Sequence, residues 1–377
     1  MKHFFILAVL SSLILSCSTL QRKPATSQPF PAPMAGSLFA SYEPLNFELD
    51  APLADLFAQK GKDHFTAKAA TVSGVLSYTD EQNKKVRFPV EVKMKGFSSI
   101  QMCSFPKIEL KIKSNDRRGT YFENIKTVDL NTHCAENEPE SDPYREYTKD
   151  MFYAHREVLI YRMAEVLEIP TLRARPIFIK YRNTKIAKVN QNPEPYRAFF
   201  LEDMSDLRKR LQAREIKGVN DSFKKNPKEG SEDIYIFKDL QSSPQTDVED
   251  AARIALFQAM IGNLDWFIKT KPEHVRFESS DKVNLWNTKI LEMTDGRWVL
   301  FPQDFNFSGI LRGFLYGEMD KVVFNVVDEA TQERIKKSFV DKKTEIYSLL
   351  ETLTKDKQGT ELMKSTLDQF YIRIESL

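Results

Sequence analysis

Between residues 64 and 135, short runs of the chain alternate hydrophobic and polar positions, which is the pattern of half-buried β-strands. The runs 86–95 and 107–113 alternate most regularly, with valine, isoleucine, leucine or methionine on one face and charged side chains on the other. A third run, 66–78, is rich in valine, threonine and alanine. These runs predict a β-rich region in the first half of the chain.

The later part of the chain shows helical spacing instead. Residues 147–167 place apolar side chains near a 3.6-residue period and predict the first long helix, which Pro170 ends. Residues 215–247 are polar and predict a long surface insertion. The other predicted elements are strands at 172–181, 196–201, 286–292 and 297–301, and helices at 204–213, 248–261, 328–353 and 359–374.

The first residues have the pattern of an export signal. The apolar run 4–15 is shorter than the roughly 20 residues that a membrane-spanning helix needs. It ends at Ser16 and Cys17 in a segment that resembles a bacterial lipobox, and an ordinary signal peptide with an incidental cysteine is the alternative. We expect residues 1–16 to be removed and residues 17–42 to form a lipidated, proline- and serine-rich tether.

The absence of an acidic residue directly after Cys17 favours the outer membrane over the inner one. The sequence therefore predicts a lipoprotein on the periplasmic side of the outer membrane or at the cell surface. The lipid alone would hold such a protein to the membrane, because the apolar run is too short to span it.

Composition narrows the possible functions. The 377 residues carry 55 Lys and Arg against 53 Asp and Glu, a formal net charge of +2, which argues against a nucleic-acid-binding protein.

Outside the cytoplasm, Cys103 and Cys134 are expected to form a disulfide, with two buried free thiols as the alternative. A zinc site is disfavoured because, of the 5 histidines, His133 alone adjoins either cysteine.

The densest group of candidate site residues lies between 262 and 309. Asn263 and Asp265 follow a predicted helix, and Asp304 and Asn306 follow a short apolar strand. Carboxylate and amide oxygens of this kind suit Mg²⁺ or Mn²⁺. Each of these residues taken alone is more typical of a cap or a turn, but their number within about forty residues favours a site.

A second group lies upstream, where one predicted strand ends at Ser98 and Ser99 and the next carries Lys107 and Lys111 on one face. Glu157 lies in the long helix, flanked by apolar positions. A strand lysine paired with a helix glutamate can fix nucleotide phosphates. The alternative is that these lysines and this glutamate are solvated side chains.

Eight segments, taken in their order along the chain, carry a resemblance to a known family. They are VKMKGFSS (92–99), CSFPKIELKIK (103–113), DLNTHC (129–134), HREVLIYRMAEVL (155–167), FFLED (199–203), GNLDW (262–266), WNTKIL (286–291) and FPQDFNFSG (301–309). Over about 85–315 the chain resembles the spore-coat CotH kinase family and related uncharacterised bacterial proteins.

That resemblance implies an α+β, bilobal protein-kinase-like fold. Its β-rich N-lobe, with one long helix, would cover 43–203, and its α-rich C-lobe would cover 204–377. The family transfers phosphate from ATP to protein hydroxyls, which implies ATP and Mg²⁺ or Mn²⁺ as cofactors and a protein as the acceptor.

The resemblance also implies roles for individual residues. Asp265, in the motif that also contains Asn263, would orient or deprotonate the acceptor hydroxyl. Asp304 would bind the metal, with Asn306 and Asn287 as further ligands. For the nucleotide, the implied residues are Glu157 paired with Lys107 or Lys111, Glu202 near the adenine, and Ser98 and Ser99 in the turn over the phosphates.

The expected function is therefore transfer of phosphate from Mg²⁺-ATP to a protein hydroxyl in the cell envelope. Nucleotidylation by the same site is a weaker option. The alternative is a catalytically inactive, pseudokinase-like envelope lipoprotein that acts as a binding or structural module. The family's Asp-x-Asp is Asp304-Phe305-Asn306 in this chain, which favours that alternative.

Overall fold

The computed structural model describes residues 36–62, 64–113, 115, 117–132, 134, 152–185, 194–215, 248–263, 266–268, 285–313, 315 and 327–376. The predicted lipidation site Cys17, the predicted catalytic Asp265 and nearly all of the predicted insertion 215–247 lie outside the described residues. Among the described helices, none combines the length and the apolar character that crossing a bilayer requires.

Seven strands form a closed barrel in the order β1-β2-β3-β4-β5-β7-β6. Antiparallel neighbours make up most of the barrel, and β1 closes it by pairing in parallel with β6 from Leu45–Ile177 to Ala51–Asn183. The strands are β1 (Leu45–Ala51), β2 (Thr71–Thr79), β3 (Lys85–Met94), β4 (Ile108–Ile112), β5 (Thr127–Asn131), β6 (Ala174–Asn183) and β7 (Tyr196–Glu202).

The closed barrel shows that the expected α+β, bilobal protein-kinase-like fold is wrong. A barrel that closes on itself is not that fold, and the sequence patterns did not predict the strand responsible for closure. Strand β1 pairs with β2 on one side and with β6 on the other, so neither neighbour is left with a free edge. Its alternating Phe47, Leu49 and Ala51 are buried in the barrel core.

The remaining elements form helices and a small three-stranded sheet in the order β12-β11-β8. The helices are α1 (Leu53–Phe57), α2 (His64–Ala69), α3 (Phe97–Met102), α4 (Tyr153–Val166), α5 (Met204–Arg210), α6 (Val248–Met260), α7 (Glu329–Asp341), α8 (Lys343–Leu350) and α9 (Lys357–Ser376). The further strands are β8 (Ala213–Glu215), β9 (Phe267–Ile268), β10 (Leu285–Trp286), β11 (Thr288–Met293) and β12 (Trp298–Pro302).

Within the described residues, most of the local predictions agree with these elements to within about three residues at their ends, and two differ by more. The strand predicted at 66–78 is wrong in its first part, because α2 continues to Ala69 and β2 begins at Thr71. Alanines at 67 and 69 favour the helix. The helix predicted at 328–353 is two helices, α7 and α8, which meet at Lys342.

The predicted disulfide is confirmed. Cys103 and Cys134 are joined, with their Cα atoms 4.6 Å apart. The bridge ties the residues after α3 to the residues after β5.

Helix α4 is buried on nearly all sides, including three consecutive polar residues near its start. His155 Nε2 lies 2.9 Å from the carbonyl oxygen of Ile177 on β6. Arg156 donates to both carboxylate oxygens of Asp356, at 2.5 and 2.8 Å. Asp356 Oδ1 also accepts from the backbone N–H of Gly359 at 2.9 Å, so one carboxylate caps α9 and anchors it to α4.

We expect Asp356→Ala to lower the free energy of unfolding by about 3–5 kcal/mol, because it leaves the buried Arg156 guanidinium without its counter-charge. Both side chains of this pair are less than 5% exposed, at 3% and 4%. Urea denaturation would measure the loss. The control is Asp341→Ala, which breaks the exposed 2.8 Å pair with Lys337 and should cost less than about 0.5 kcal/mol. Equal losses in the two variants would contradict a structural role for the buried pair.

Candidate functional site

Three distant segments bring one lysine and two carboxylates together outside the barrel. Lys107 directly precedes β4, Glu157 lies in the first half of α4, and Asp304 follows β12. Lys107 Nζ donates to Asp304 Oδ1 at 3.0 Å. Glu157 interacts electrostatically with both of them. We refer to these three residues as the Lys107 cluster.

Glu157 is the buried member of the Lys107 cluster, with 4% of its surface exposed. The pKa of its carboxyl is raised from 4.5 to about 7, because the effect of burial outweighs the lowering by Lys107 and the charge of Asp304 adds to the rise. Its Oε1 is buried and has no hydrogen-bond partner among the described residues. In α4, His155 and Arg156 both have partners, so Glu157 differs from its neighbours in facing a site instead of anchoring an element.

Lys107 remains charged in this position. Its side chain is 27% exposed. Burial lowers the pKa of the ammonium group, but Asp304 and Glu157 outweigh that effect and raise the pKa above its ordinary value. A charged lysine between two carboxylates is suited to neutralising an anion that reaches the same position.

Asp304 is the most exposed member of the Lys107 cluster, and its backbone is unusual. Its side chain is 41% exposed, and its φ of 60° lies in the left-handed region, as does the φ of 50° at Asn287. The carbonyl oxygen of Asn287 accepts from the N–H of Gln303 at 2.9 Å, so the two left-handed residues lie next to each other across the β11–β12 pair. Non-glycine residues in this region are uncommon, and they concentrate at functional sites.

Two aromatic residues support the left-handed turn at Asp304. Phe305 is fully buried, and its ring centroid lies 4.8 Å from that of Tyr161 on α4. The Tyr161 hydroxyl is hydrogen-bonded to the backbone of Asp304. Helix α4 therefore supplies both Glu157 and the support that positions Asp304.

Asn306, predicted to be a metal ligand, follows in the same turn. Its carbonyl oxygen accepts from the Tyr153 hydroxyl. Its side-chain Oδ1 is buried and has no hydrogen-bond partner within the described part of the chain. The unpartnered amide oxygen of Asn306 and the carboxylate of Asp304, two residues before it, are both oxygen donors of the type that Mg²⁺ or Mn²⁺ prefers.

Asn263, predicted to be catalytic, is fully buried at the end of α6. Its Nδ2 donates to Gln258 Oε1 at 3.0 Å, and its N–H donates to the carbonyl oxygen of Gln258 at 2.9 Å. The carbonyl oxygen of Gly262 accepts from the N–H of Gly309 at 2.9 Å, which joins this segment to the one after Asn306. These bonds give Asn263 a structural role in the loop that leads towards Asp265.

Three other predicted residues lie outside the Lys107 cluster. Lys111 lies in β4, four residues after Lys107, where it is paired in register with Glu91 and Thr127. Glu202 is occupied, because Arg210 donates to its two carboxylate oxygens at 3.0 and 2.6 Å. Ser98 lies exposed on α3.

Ser99 contacts the backbone of the Lys107 cluster. Its Oγ accepts from the N–H of Lys107 at 2.6 Å, although the side chain is almost fully buried. The turn that was predicted to cover the phosphates is therefore attached to the lysine by its second serine.

A charged network next to the Lys107 cluster was not predicted. Lys93, Glu109 and Asp129 form one row across β3, β4 and β5. Lys95 Nζ lies 2.5 Å from Asp129 Oδ2 and 3.8 Å from Glu109 Oε2. Asp203 contributes a third carboxylate, with oxygens of all three acids within 4.8 Å of one another.

The pKa of Asp129 is raised to about 6, because the effect of burial outweighs the lowering by Lys95. Because Lys95 already contacts two of the three acids, the network carries its own counter-charge. The alternating charges on the outer face of β4 are the sequence signal that could have indicated it.

Comparison with known proteins assigns no family: no protein-family profile matches the chain, and no curated protein matches it.

We expect the stability of Glu157→Gln to rise relative to the wild type between pH 5 and pH 8. With a pKa of about 7 in the folded protein against 4.5 ordinarily, the folded state binds the extra proton. The wild type therefore loses stability as the pH rises through this window, by at most about 3 kcal/mol. The glutamine variant has no such proton to lose. Urea denaturation at each pH would measure the difference.

The control for this measurement is Glu91→Gln on the outer face of the barrel. The hydrogen bond from Lys113 holds the pKa of Glu91 below its ordinary value, so this variant should show no such gain. If Glu157→Gln and the wild type change in parallel from pH 5 to pH 8, the carboxyl of Glu157 is not protonated in the folded protein near neutrality.

Proposed function

We propose that the Lys107 cluster binds the phosphates of a nucleotide with a divalent cation and supports transfer of a phosphoryl group to a protein hydroxyl. The observation that carries this proposal is the meeting of Lys107, Glu157 and Asp304, which come from three distant segments. The buried Glu157 leaves an oxygen without a hydrogen-bond partner among the described residues. The sequence resemblance to CotH-like kinases supports the same chemistry.

The proposed role of Lys107 is to neutralise phosphate oxygens. Its ammonium group lies 3.0 Å from Asp304, and its side chain is 27% exposed on the outside of the barrel, so we propose that a phosphate reaches it without disturbing the barrel. Glu157 helps to raise the pKa of Lys107, and we propose that it orients the lysine when Asp304 turns to another partner. In phosphoryl transfer, positioning and charge neutralisation supply most of the catalysis.

The proposed cation ligands are Asp304 and Asn306, with Asn287 as a neighbouring polar residue. When bound, Mg²⁺ or Mn²⁺ would neutralise charge on the phosphates. Asn306 offers an oxygen without a charge, so binding at this position should be weaker than with a second aspartate.

The proposed acceptor step uses Asp265. This carboxylate would orient the acceptor hydroxyl and take its proton as the hydroxyl oxygen attacks the γ-phosphorus. The bond between that phosphorus and the bridging oxygen breaks, and the nucleoside diphosphate leaves. The acceptor would be an exported protein, because we also propose that Cys17 carries the lipid that anchors the chain in the cell envelope.

A second candidate function is a binding module of the envelope that catalyses nothing. The specific observation in its favour is that Lys107 is already paired with Asp304, so the lysine and the carboxylate satisfy each other. Asn306 in place of an acid favours it as well. In this case a partner protein, not a nucleotide, would be the ligand.

We expect Mg²⁺-ATP to raise the melting temperature of the wild-type protein and to have no effect on Asp304→Ala. Lys107→Met should weaken binding about tenfold or more, since a charge-assisted hydrogen bond contributes about 1.5–3 kcal/mol. Lys111→Met is the matched control, because it removes the same charge from the same face of β4 and should keep the shift. Thermal denaturation over a range of Mg²⁺-ATP concentrations would measure all four proteins.

Equal losses in Lys107→Met and Lys111→Met would contradict the assignment of Lys107. No shift with any nucleotide or metal would leave the binding module as the function. Incubation with labelled ATP and Mn²⁺ then tests transfer, where Asp265→Ala should keep the thermal shift and lose the label on the acceptor.

A further inference from the structure

The disulfide lies at the tip of the connection between β3 and β4. This connection, residues 96–106, contains α3 and is named here the α3 segment. Its base is closed by the N–H of Lys95, which donates to the carbonyl oxygen of Lys107 at 2.7 Å. Its far end is Cys103, which is bonded to Cys134 beyond the end of β5.

Most of the polar contacts that hold the far end of the α3 segment lead to the same short stretch, 132–134. The carbonyl oxygen of Cys134 accepts from the N–H of Phe105 at 2.9 Å and from the Ser104 hydroxyl at 3.3 Å. Thr132 Oγ1 donates to the carbonyl oxygen of Phe105 at 3.1 Å. We call these contacts between 103–105 and 132–134 the joint, and the disulfide is its covalent bond.

The joint is connected to Lys107 through one turn of helix. The N–H of Cys103 donates to the carbonyl oxygen of Ser99 at 3.1 Å. Ser99 Oγ in turn accepts from the N–H of Lys107 at 2.6 Å. The α3 segment therefore joins the disulfide to the backbone of the lysine in the Lys107 cluster.

The barrel does not need the disulfide to remain closed. Strand β5 is paired with β4 from Ile108–Leu130 to Lys111–Thr127 and with β7 on its other side. Loss of the bridge would therefore loosen the α3 segment and leave the seven strands paired.

We infer that the Cys103–Cys134 disulfide is a redox-sensitive latch that orders the α3 segment over Lys107. An external dithiol opens it by thiol–disulfide exchange. A thiolate attacks the sulfur of Cys134, the less buried of the two residues, and Cys103 leaves as a thiolate that takes a proton. The second thiol of the reductant then releases Cys134, so that two electrons pass to the protein and the dithiol becomes a disulfide.

The consequence for ligand binding rests on the proposed function. Ser98 and Ser99 lie in the part of the chain that the latch orders, and Ser99 contacts Lys107. The oxidised protein holds these groups in place before a phosphate arrives, and the reduced protein must order them on binding.

Amide hydrogen exchange of the full chain, oxidised and after treatment with dithiothreitol, tests the latch. Peptides that cover 97–105 should exchange roughly tenfold faster in the reduced protein, because local opening becomes easier. Peptides from β3 and β6 should exchange at the same rate in both states. Equal exchange of 97–105 in the two states would overturn the inference, and so would faster exchange throughout the barrel.

The variant Cys103→Ser/Cys134→Ser provides the matched control. It should exchange like the reduced wild type, with or without dithiothreitol. A change on adding dithiothreitol to this variant would show that the reductant acts elsewhere and would overturn the inference. If the variant fails to fold, reduction of the folded wild type still decides the question.

The thermal shift with Mg²⁺-ATP separates the latch from the proposed function. A smaller shift in the reduced than in the oxidised protein supports control of the site by the latch, and equal shifts overturn that control. No shift in the oxidised protein means that the proposed function fails, while hydrogen exchange still decides whether the latch exists.

Discussion

The burial of α4 is the constraint on which the rest of the structure depends. A helix that is enclosed on nearly all sides must find a partner for every polar side chain it carries, because an unpaired buried charge costs several kcal/mol. His155 meets a barrel strand and Arg156 meets the start of α9, so two consecutive residues attach two different parts of the molecule. Glu157 is the next residue, and it faces Lys107 and Asp304 instead of anchoring an element.

Closure of the barrel determines where these groups can meet. The interior is filled by apolar side chains such as Ile108 and Leu110. Because successive side chains of a strand point to opposite faces, the charged residues that alternate with them point outwards. Lys107 and Glu109 therefore lie on the outer surface of the barrel. The proposed site is outside the barrel, where this surface faces α4 and the turn after β12, and the disulfide orders the segment beside it.

Local pattern predicted much of the secondary structure and less of the site. The alternation at 86–95 and 107–113 corresponds to β3 and β4, and the period at 248–261 corresponds to α6. The local pattern gave the wrong element in the first part of 66–78, where α2 precedes β2, and it did not predict β1. The wrong fold came from the resemblance to CotH-like kinases, and the missed strand β1 is the one that closes the barrel by a parallel pairing with a strand more than a hundred residues away. No local pattern encodes such a pairing.

The sequence by itself predicted which side chains share a face in β3 and β4, because that follows from short-range periodicity. It also predicted that Cys103 and Cys134 pair, because Cys17 was assigned to the export signal. It indicated that Lys107 and Lys111 share a face and that Glu157 lies in a long helix. The tertiary structure alone decided that Lys107 contacts Asp304, 197 residues away. That contact depends on how α4 and β12 pack against the barrel, and packing is set by the whole core and not by any one segment.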